Sequence, residues 1–336
     1  MQTEKQQNET VLTGIKPTGD QHLGNYLGAI RPGLDLVAQF RHSLLFIADF
    51  HALTTVQNAA QLREYTLQIA ATWLACGLDP ARTIIYRQSD VPEIFELAWI
   101  LSCVTPKGFM NRAHAYKAKV QENQSEGRED IDDGVSMGLY NYPVLMAADI
   151  LLFNTDVVPV GEDQVQHVEI ARDIAQKFNR AFGGEILRLP RALVKTEKVI
   201  PGLDGRKMSK SYGNQIPLFM ESKALRKLVM KIKTDSTPPE APKNPKDSLL
   251  FDLYKEFASA TDTEALAARY AAGIGWGEVK ELLFQAVEKH FSEATAHYRE
   301  LMAKPAELDR ILSEGAARAR ELALPLMNKI RKAVRG

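Results

Sequence analysis

The chain has 336 residues, and its 42 lysines and arginines balance 42 aspartates and glutamates, so its formal net charge is zero. This length allows about two domains with an ample core. The hydrophobic share of 45% and the charged share of 25% are ordinary for a soluble enzyme. The polar N-terminus lacks the features of a targeting peptide, and no stretch is apolar enough for a membrane span. We therefore expect a cytoplasmic protein with no membrane partner.

The first half of the chain alternates short apolar runs with helical periodicity. The predicted strands lie at residues 11–15, 44–48, 83–86 and 157–160, and the predicted helices begin at 23 or span 59–76, 91–104, 142–152 and 164–178. A polar, acidic stretch at about 119–135 predicts an exposed, mobile insertion. The alternation predicts an α/β fold with a doubly wound, Rossmann-type parallel sheet.

The second half shows helical periodicity with almost no strand signal. Its predicted helices cover residues 218–232, 249–258, 263–272, 278–302 and 306–334. We therefore expect a Rossmann-type catalytic domain over 1–203, a mobile loop over 204–214 and an all-helical region over 215–336. The last helices are expected to pack back on the catalytic domain.

The two cysteines, Cys76 and Cys103, lie in apolar helical stretches. They are predicted to be reduced core residues. No metal-ligand spacing involves them, so we expect no structural metal.

A glycine-rich turn after the first strand leads into His22-Leu23-Gly24-Asn25 at the start of a predicted helix. Unpaired backbone N–H groups at a helix start suit a phosphate. Gly24 would let the backbone approach a nucleotide closely, and His22 could donate a hydrogen bond to a phosphate oxygen. Taken alone, the same pattern also fits a surface histidine in a glycine turn.

The second motif, Lys207-Met208-Ser209-Lys210-Ser211, lies between glycines and prolines that predict a mobile loop. Two lysines close together can follow pyrophosphate as it leaves, because each carries a compact charge on a flexible stem. The alternative is a solvated basic turn.

Together, in this order, the two motifs resemble the signature pair of class I aminoacyl-tRNA synthetases. The run from Tyr142 to Gln164 resembles the tryptophan branch of that family, and the resemblance covers about residues 12–334. It implies activation of L-tryptophan with ATP, accompanied by Mg²⁺, and transfer of tryptophan to tRNA(Trp). It further implies a homodimer and anticodon reading by the C-terminal helices.

Tyr142, Met146 and Asp149 would share one face of a helix. A carboxylate there can accept the indole N–H, a donor-only group, while Met146 packs against the ring. A tyrosine enzyme would be expected to carry glutamine at the position of Met146. On pattern alone, Asp149 could instead pair with a nearby base.

The resemblance implies roles for further residues. For catalysis it implies His22, Lys207, Ser209, Lys210 and Ser211. For ATP binding it implies Lys16, Pro17, Thr18, Gly24, Asn25, Gly161, Glu162, Asp163, Val199, Lys207, Met208, Ser209, Lys210 and Ser211. For tryptophan binding it implies Tyr142, Met146, Asp149, His51, Gln164, Val158 and Val160. Asp163 and Gln164 could instead cap the helix that they begin, and His51 could be a satisfied polar residue at a strand end.

The chain departs from the commoner bacterial form of the family around the first motif. That form has phenylalanine at Leu12, glutamine at Lys16, threonine at His22 and glutamine at Phe50. Loss of an aromatic wall at Leu12 means that the indole pocket is closed differently.

Three other functions remain open on the sequence. A tyrosyl enzyme is opposed by Met146 and the run that follows it. A small adenylyltransferase would explain the first motif but not the second. An inactive paralogue that binds tRNA or tryptophan as a regulator could dispense with Lys207 and Lys210.

Overall fold

A five-stranded parallel sheet forms the centre of the N-terminal half. The computed structural model describes residues 8–194 and 199–336. Its strands are β1 (Thr10–Ile15), β2 (His42–Ile47), β3 (Ile84–Arg87), β4 (Val157–Val160) and β5 (Arg191–Val194). Their order is β3-β2-β1-β4-β5, which confirms the predicted doubly wound sheet. Strand β5 was not predicted, because it has only four residues and begins with arginine.

Helices cover the sheet and form most of the rest of the chain. Helix α1 spans residues 23–37 and includes a π-helical turn at Tyr26–Ile30. The next helices are α2 (Asp49–Ala52), α3 (Ala59–Ala75), α4 (Glu93–Val104), α5 (Lys107–Met110), α6 (His114–Ser125), α7 (Met137–Leu151) and α8 (Val165–Ala181). After the second motif come α9 (Ser222–Val229), α10 (Leu249–Tyr254), α11 (Ala260–Ala272), α12 (Trp276–Met302) and α13 (Pro305–Arg335).

Two of the longer helices of the N-terminal half differ from the sequence prediction. Helix α6 occupies the start of the polar stretch to which no regular element was assigned, since it is mostly polar and lacks an apolar stripe. Helix α7 begins at Met137 rather than near Tyr142. Ser136 caps it by accepting a hydrogen bond from the backbone N–H of Leu139 at 3.1 Å. Pro143 lies inside the helix, where the sequence suggested a boundary.

The strands separate two apolar layers. Side chains alternate along a strand, so Val11, Leu45 and Ile85 pack with one set of helices, while Leu12 and Leu44 pack with the other. The chain runs outward from β1 through β2 to β3 and then crosses to β4 and β5 on the other side of β1. Ligands of such sheets bind at the carboxyl ends of the strands where this order reverses.

The helical region is packed against the sheet domain. Helix α12 contacts α3, and α13 runs along the edge strand β3. A Cβ atom at Gly315 would lie 1.7 Å from the carbonyl oxygen of Ile85, so only glycine allows this approach. Arg320 also pairs with Glu93 at 2.8 Å. Helix α13 therefore covers an edge that would otherwise expose unpaired backbone groups. Within the two described ranges, no helix combines the length and the apolar character needed to cross a membrane.

Candidate active site

A cavity of about 670 Å³ opens at the carboxyl ends of β1 and β4, where the strand order reverses. Eight residues predicted to bind ATP or tryptophan line it: Lys16, His51, Tyr142, Met146, Val158, Val160, Gly161 and Gln164. Apolar side chains from β1, β2 and β4 form one part of its wall. The sequence prediction and the sheet topology thus point to the same crevice.

A chain of hydrogen bonds connects the cavity wall to the buried carboxylate of Asp149. Lys16 Nζ donates to Thr54 Oγ1 at 2.9 Å, and Thr54 Oγ1 donates to the carbonyl oxygen of His51 at 2.9 Å. Burial lowers the pKa of Lys16. His51 Nε2 lies 3.0 Å from Asp149 Oδ2. His51 is therefore both a wall of the cavity and a partner of the buried acid.

Asp149 is fully buried behind His51 and does not line the cavity. Gln88 Nε2 lies 2.9 Å from both of its carboxylate oxygens. Burial raises the pKa of Asp149, and the hydrogen bond from His51 opposes that shift. A carboxylate offers about four acceptor positions, so these contacts leave room for about one more. Helical spacing predicted Asp149 on the face of Tyr142 and Met146. Gln88 was not predicted, because a residue in the turn after β3 reaches Asp149 only through the fold.

His167 is a cavity residue that the sequence analysis missed. Its Nε2 lies 2.7 Å from the hydroxyl of Tyr142, and its Nδ1 is buried without a hydrogen-bond partner in the structure. Burial lowers the pKa of His167, so the ring is neutral near pH 7. The contact fixes Tyr142 at the cavity wall. The only signal in the sequence is that His167 follows Gln164 by one helical turn.

The turn after β4 presents several predicted nucleotide contacts. Glu162 and Asp163 are exposed in a short 3₁₀ turn between the strand and helix α8. Gln164 stands at the N-cap position of α8, but its side chain makes no capping hydrogen bond and lines the cavity. Capping therefore does not explain Gln164.

The first motif forms a tight helix start. His22 is the N-cap residue of α1, and its Nδ1 accepts a hydrogen bond from the backbone N–H of Asn25 at 3.3 Å. The Asn25 side chain in turn accepts from the backbone N–H of His22 at 3.2 Å. Since Nδ1 accepts, Nε2 carries the proton of the neutral ring.

Burial, with Lys210 as a second cause, lowers the pKa of His22 to about 4. The His22 ring is therefore neutral near pH 7, and its Nε2 offers an uncharged N–H donor. The alternative interpretation of His22, a surface histidine in a glycine turn, is wrong because His22 is buried.

We expect the low pKa of His22 to make stability depend on pH. Between pH 6.5 and 4 the unfolded chain binds a proton at His22 that the folded chain does not, so stability falls as pH falls through this window. His22→Asn keeps a capping side chain but cannot titrate. At pH 5 the wild type should lose about 1 to 2 kcal/mol more than this variant, relative to pH 7.5. Thermal unfolding at both pH values measures the difference, and equal losses in the two proteins would refute it.

The second motif lies directly on the first. The backbone N–H of Gly24 donates to Met208 Sδ at 3.2 Å, and Lys210 Nζ donates to the carbonyl oxygen of Thr18 at 3.3 Å. The backbone N–H of Leu23 donates to the carbonyl oxygen of Ile216 at 2.9 Å. Burial lowers the pKa of Lys210, and Asp20 opposes that shift. Two segments far apart in sequence therefore form one surface at the start of α1.

Asn214 holds the second motif in shape. Its Oδ1 accepts from the backbone N–H of Ser209 at 2.9 Å, and its Nδ2 donates to Asp204 Oδ1 at 2.6 Å. A Cβ atom at Gly202 would lie 2.5 Å from the Asn214 side chain. Asn214 was not among the predicted site residues.

The remaining predicted residues have less definite surroundings. Pro17 is buried, Thr18 and Ser211 are exposed, and Lys207 is an exposed residue with an interaction of its own. Val199, predicted near adenine, is 60% exposed. No group of three or more histidine, cysteine, aspartate or glutamate side chains in the described part of the chain could hold a metal ion.

The fold and this site can be compared with known proteins. A sequence model of the class I tRNA synthetases for tryptophan and tyrosine matches residues 4–292. The chain belongs to this family. A tryptophan–tRNA ligase from Xanthomonas axonopodis pv. citri is 52% identical over 327 residues, which cover 96% of this chain and 76% of the relative. The tryptophan–tRNA ligase of Pseudomonas aeruginosa is 53% identical over 330 residues, covering 96% and 73%.

Solved structures agree with the sequence relatives. The crystal structure of tryptophanyl-tRNA synthetase from Campylobacter jejuni, complexed with ADP and tryptophan, matches with a TM-score of 0.87 at 45% identity. The match covers 97% of this chain and 99% of that one. A tyrosyl-tRNA synthetase from Archaeoglobus fulgidus shares the fold at a TM-score of 0.62 and 18% identity. The comparisons confirm the resemblance to the tryptophan branch and disfavour the tyrosyl alternative.

Proposed function

We propose that this chain is a tryptophan–tRNA ligase, which activates L-tryptophan with ATP and transfers it to the 3′ end of tRNA(Trp). The observation that carries the proposal is that a cavity and a basic surface lie side by side. The cavity with Tyr142, Met146 and the His51–Asp149 pair opens beside the surface where Lys210 lies over the start of helix α1. An amino-acid pocket and a phosphate site are thus adjacent, as adenylate formation requires.

The first step needs no protein nucleophile, because tryptophan brings its own. A carboxylate oxygen of tryptophan attacks the α-phosphorus of ATP in line, and the bond from that phosphorus to the bridging oxygen breaks. Pyrophosphate leaves with the electron pair. Lys207 and Lys210 supply positive charge to the leaving group, and His22 Nε2 donates a hydrogen bond. Mg²⁺, bound to ATP, neutralises further phosphate charge.

The remaining predicted residues receive roles on the same basis. We assign the turn of Lys16, Pro17 and Thr18, with Gly24 and Asn25, to the phosphates. Gly161, Glu162, Asp163 and Val199 are assigned to ribose and adenine, and Ser209 and Ser211 shape the loop that closes over ATP. Tyr142, His51 and Gln164 orient the amino-acid end of tryptophan, while Met146, Val158 and Val160 contact its ring.

The helical region, residues 215–336, is proposed to bind tRNA. Basic side chains on and after α9 surround a shallow surface cavity: Lys223, Arg226, Lys227 and Lys231. Such a cluster suits a phosphate backbone, although solvated helix faces also carry basic residues. A second group of basic residues lies near the C-terminus: Lys329, Arg331, Lys332 and Arg335. It is less available, because Arg331 pairs with Glu96 on helix α4.

Tryptophan-dependent exchange of pyrophosphate into ATP tests the proposal. The wild-type chain should catalyse it with tryptophan and not with tyrosine. Exchange that depends on tyrosine would favour the tyrosyl alternative. Absence of exchange with intact tryptophan or tRNA binding would favour a regulatory paralogue.

We further propose a homodimer in the cytoplasm. Phe50 and Trp99 are 42% and 73% exposed, and the ring of Phe50 lies 4.8 Å from that of Phe95, one helical turn before Trp99. Cys103 lies one helical turn after Trp99, on the same face of helix α4. It is exposed, so the prediction that Cys103 is a core residue is wrong. Contiguous exposed aromatic side chains are typical of an interface, and a second copy of the chain would cover them.

Trp99→Glu should convert the dimer to a monomer, because it places a charge at the centre of that apolar face. We expect the dissociation constant to rise by at least about 100-fold, as for a central aromatic interface residue. Sedimentation velocity measures the change. Leu322→Glu, at an exposed apolar residue on helix α13, is the control that should remain dimeric. A wild type that is already monomeric at micromolar concentration would refute the proposal.

A further inference from the structure

The ring of Phe46 occupies the space that a side chain at position 14 would fill. In the parallel pairing of β1 with β2, Gly14 is opposite Phe46. A Cβ atom at Gly14 would lie 2.5 Å from Cε1 and 2.6 Å from Cζ of the Phe46 ring. Both residues line the cavity. The ring therefore lies against the backbone of β1 at Gly14, and it can do so only because residue 14 is glycine.

The neighbouring position on the same sheet face is Leu12. Side chains two residues apart on a strand point to one face, so Leu12 and Gly14 lie side by side on β1, opposite Leu44 and Phe46 on β2. Leu12 also lines the cavity.

The Phe46 ring is held from behind. It is stacked on Tyr86, with ring centroids 5.9 Å apart and an angle of 22° between the planes. Tyr86 is fully buried. A ring fixed in this way presents a constant face to the cavity and loses little conformational freedom when a ligand packs against it.

We propose that Phe46 is the aromatic wall against which the indole ring of tryptophan packs, and that Gly14 is required to make room for it. This inference rests on the proposed function. Aromatic rings in contact gain stabilisation beyond the area that they bury, so the wall contributes to selection of a planar aromatic substrate. Phe46 is a specificity-determining residue and takes no part in the chemical step.

Phe46→Leu tests the wall, with Phe153→Leu as the matched control. Phe46 and Phe153 are both 6% exposed, and both rings pack on Tyr86. Phe153 does not line the cavity. In pyrophosphate exchange, Phe46→Leu should raise KM for tryptophan by about three- to tenfold and leave KM for ATP unchanged. Phe153→Leu should change neither value.

Two further variants keep the inference falsifiable if Phe46→Leu folds poorly. Gly14→Ala should raise KM for tryptophan, because the added methyl group displaces the Phe46 ring. Combining Leu12→Phe with Phe46→Leu returns an aromatic ring to the same face and should restore KM to within about twofold. An unchanged KM in both Phe46→Leu and Gly14→Ala would overturn the inference. It would leave the proposed function intact, because that depends on exchange by the wild type.

Discussion

Lys210→Ala is expected to lower the rate of tryptophanyl-adenylate formation by about 10²- to 10³-fold, the loss typical of removing one transition-state charge contact. Lys210 Nζ donates to the carbonyl oxygen of Thr18, and a Cβ atom at Gly19 would lie 2.7 Å from Lys210 Nζ. The ammonium group thus lies over the turn that leads into helix α1. Charge there matters most when pyrophosphate departs, so the affinity for tryptophan should change little.

Single-turnover formation of the adenylate measures the rate, and equilibrium binding of tryptophan measures the affinity. Arg206→Ala is the matched control, because it removes a positive charge from the same loop. The Arg206 guanidinium pairs with Asp204 at 2.6 Å and lies over the ring of Tyr212, away from the Lys210 contact. Its rate should remain within a few-fold of the wild type. A Lys210→Ala variant with an unchanged rate would contradict the assignment of this loop to catalysis.

The sequence could predict most of the sheet because buried parallel strands are short apolar runs between turn residues. Strands β1 to β4 fit that description. Strand β5 does not, since it is short and partly exposed. Helix α6 escaped prediction because its stability comes from contacts that periodicity does not show, such as the hydrogen bond from the Tyr116 hydroxyl to Asp132 at 2.7 Å.

The sequence could predict some features of the functional site and not others. The motif residues predict a phosphate-binding region, but their contact across 184 positions, from Gly24 to Met208, was implied by the resemblance and not by periodicity. Helical spacing placed Asp149 on the face of Tyr142 and Met146. It could not show that Gln88 and His51 enclose the carboxylate, because those partners come from other elements. The pKa of His22 was likewise unpredictable, since burial is its main cause.

Asp149→Ala should affect both stability and specificity. In the wild type His51 and Gln88 both place a nitrogen against the buried carboxylate. Alanine would leave those nitrogen groups without their partner, and we expect the free energy of unfolding to fall by about 3 kcal/mol. We propose Asp149 as the acceptor of the indole N–H, so catalytic efficiency with tryptophan should fall by at least about 10²-fold when that acceptor is removed.

Specificity separates these two effects. A site built around a buried hydrogen bond can reject an analogue that lacks the bonding group by about 10⁴-fold. The wild type should therefore discriminate strongly between tryptophan and 1-methyltryptophan, which has no indole N–H, while Asp149→Ala should discriminate little. Asp49→Asn is the control. Asp49 is also a buried carboxylate and accepts a hydrogen bond from the backbone N–H of Ser89 at 3.0 Å. Its hydrogen-bond partners Phe50 and Ser89 do not line the cavity, whereas His51, the partner of Asp149, does.

The Asp49→Asn variant should lose stability yet keep the discrimination, because Phe50 and Ser89, which bond to Asp49, do not line the cavity. If Asp149→Ala keeps the discrimination as well, another acceptor holds the indole N–H. His51 stands between Asp149 and the cavity. If Asp149→Ala is the only one of the two variants that loses the discrimination, the indole N–H must reach past His51. It would then bond to the one acceptor position of the Asp149 carboxylate that His51 and Gln88 do not use. The ring of His51 must then move when tryptophan binds, which a spectroscopic comparison of its ring signals with and without tryptophan would detect.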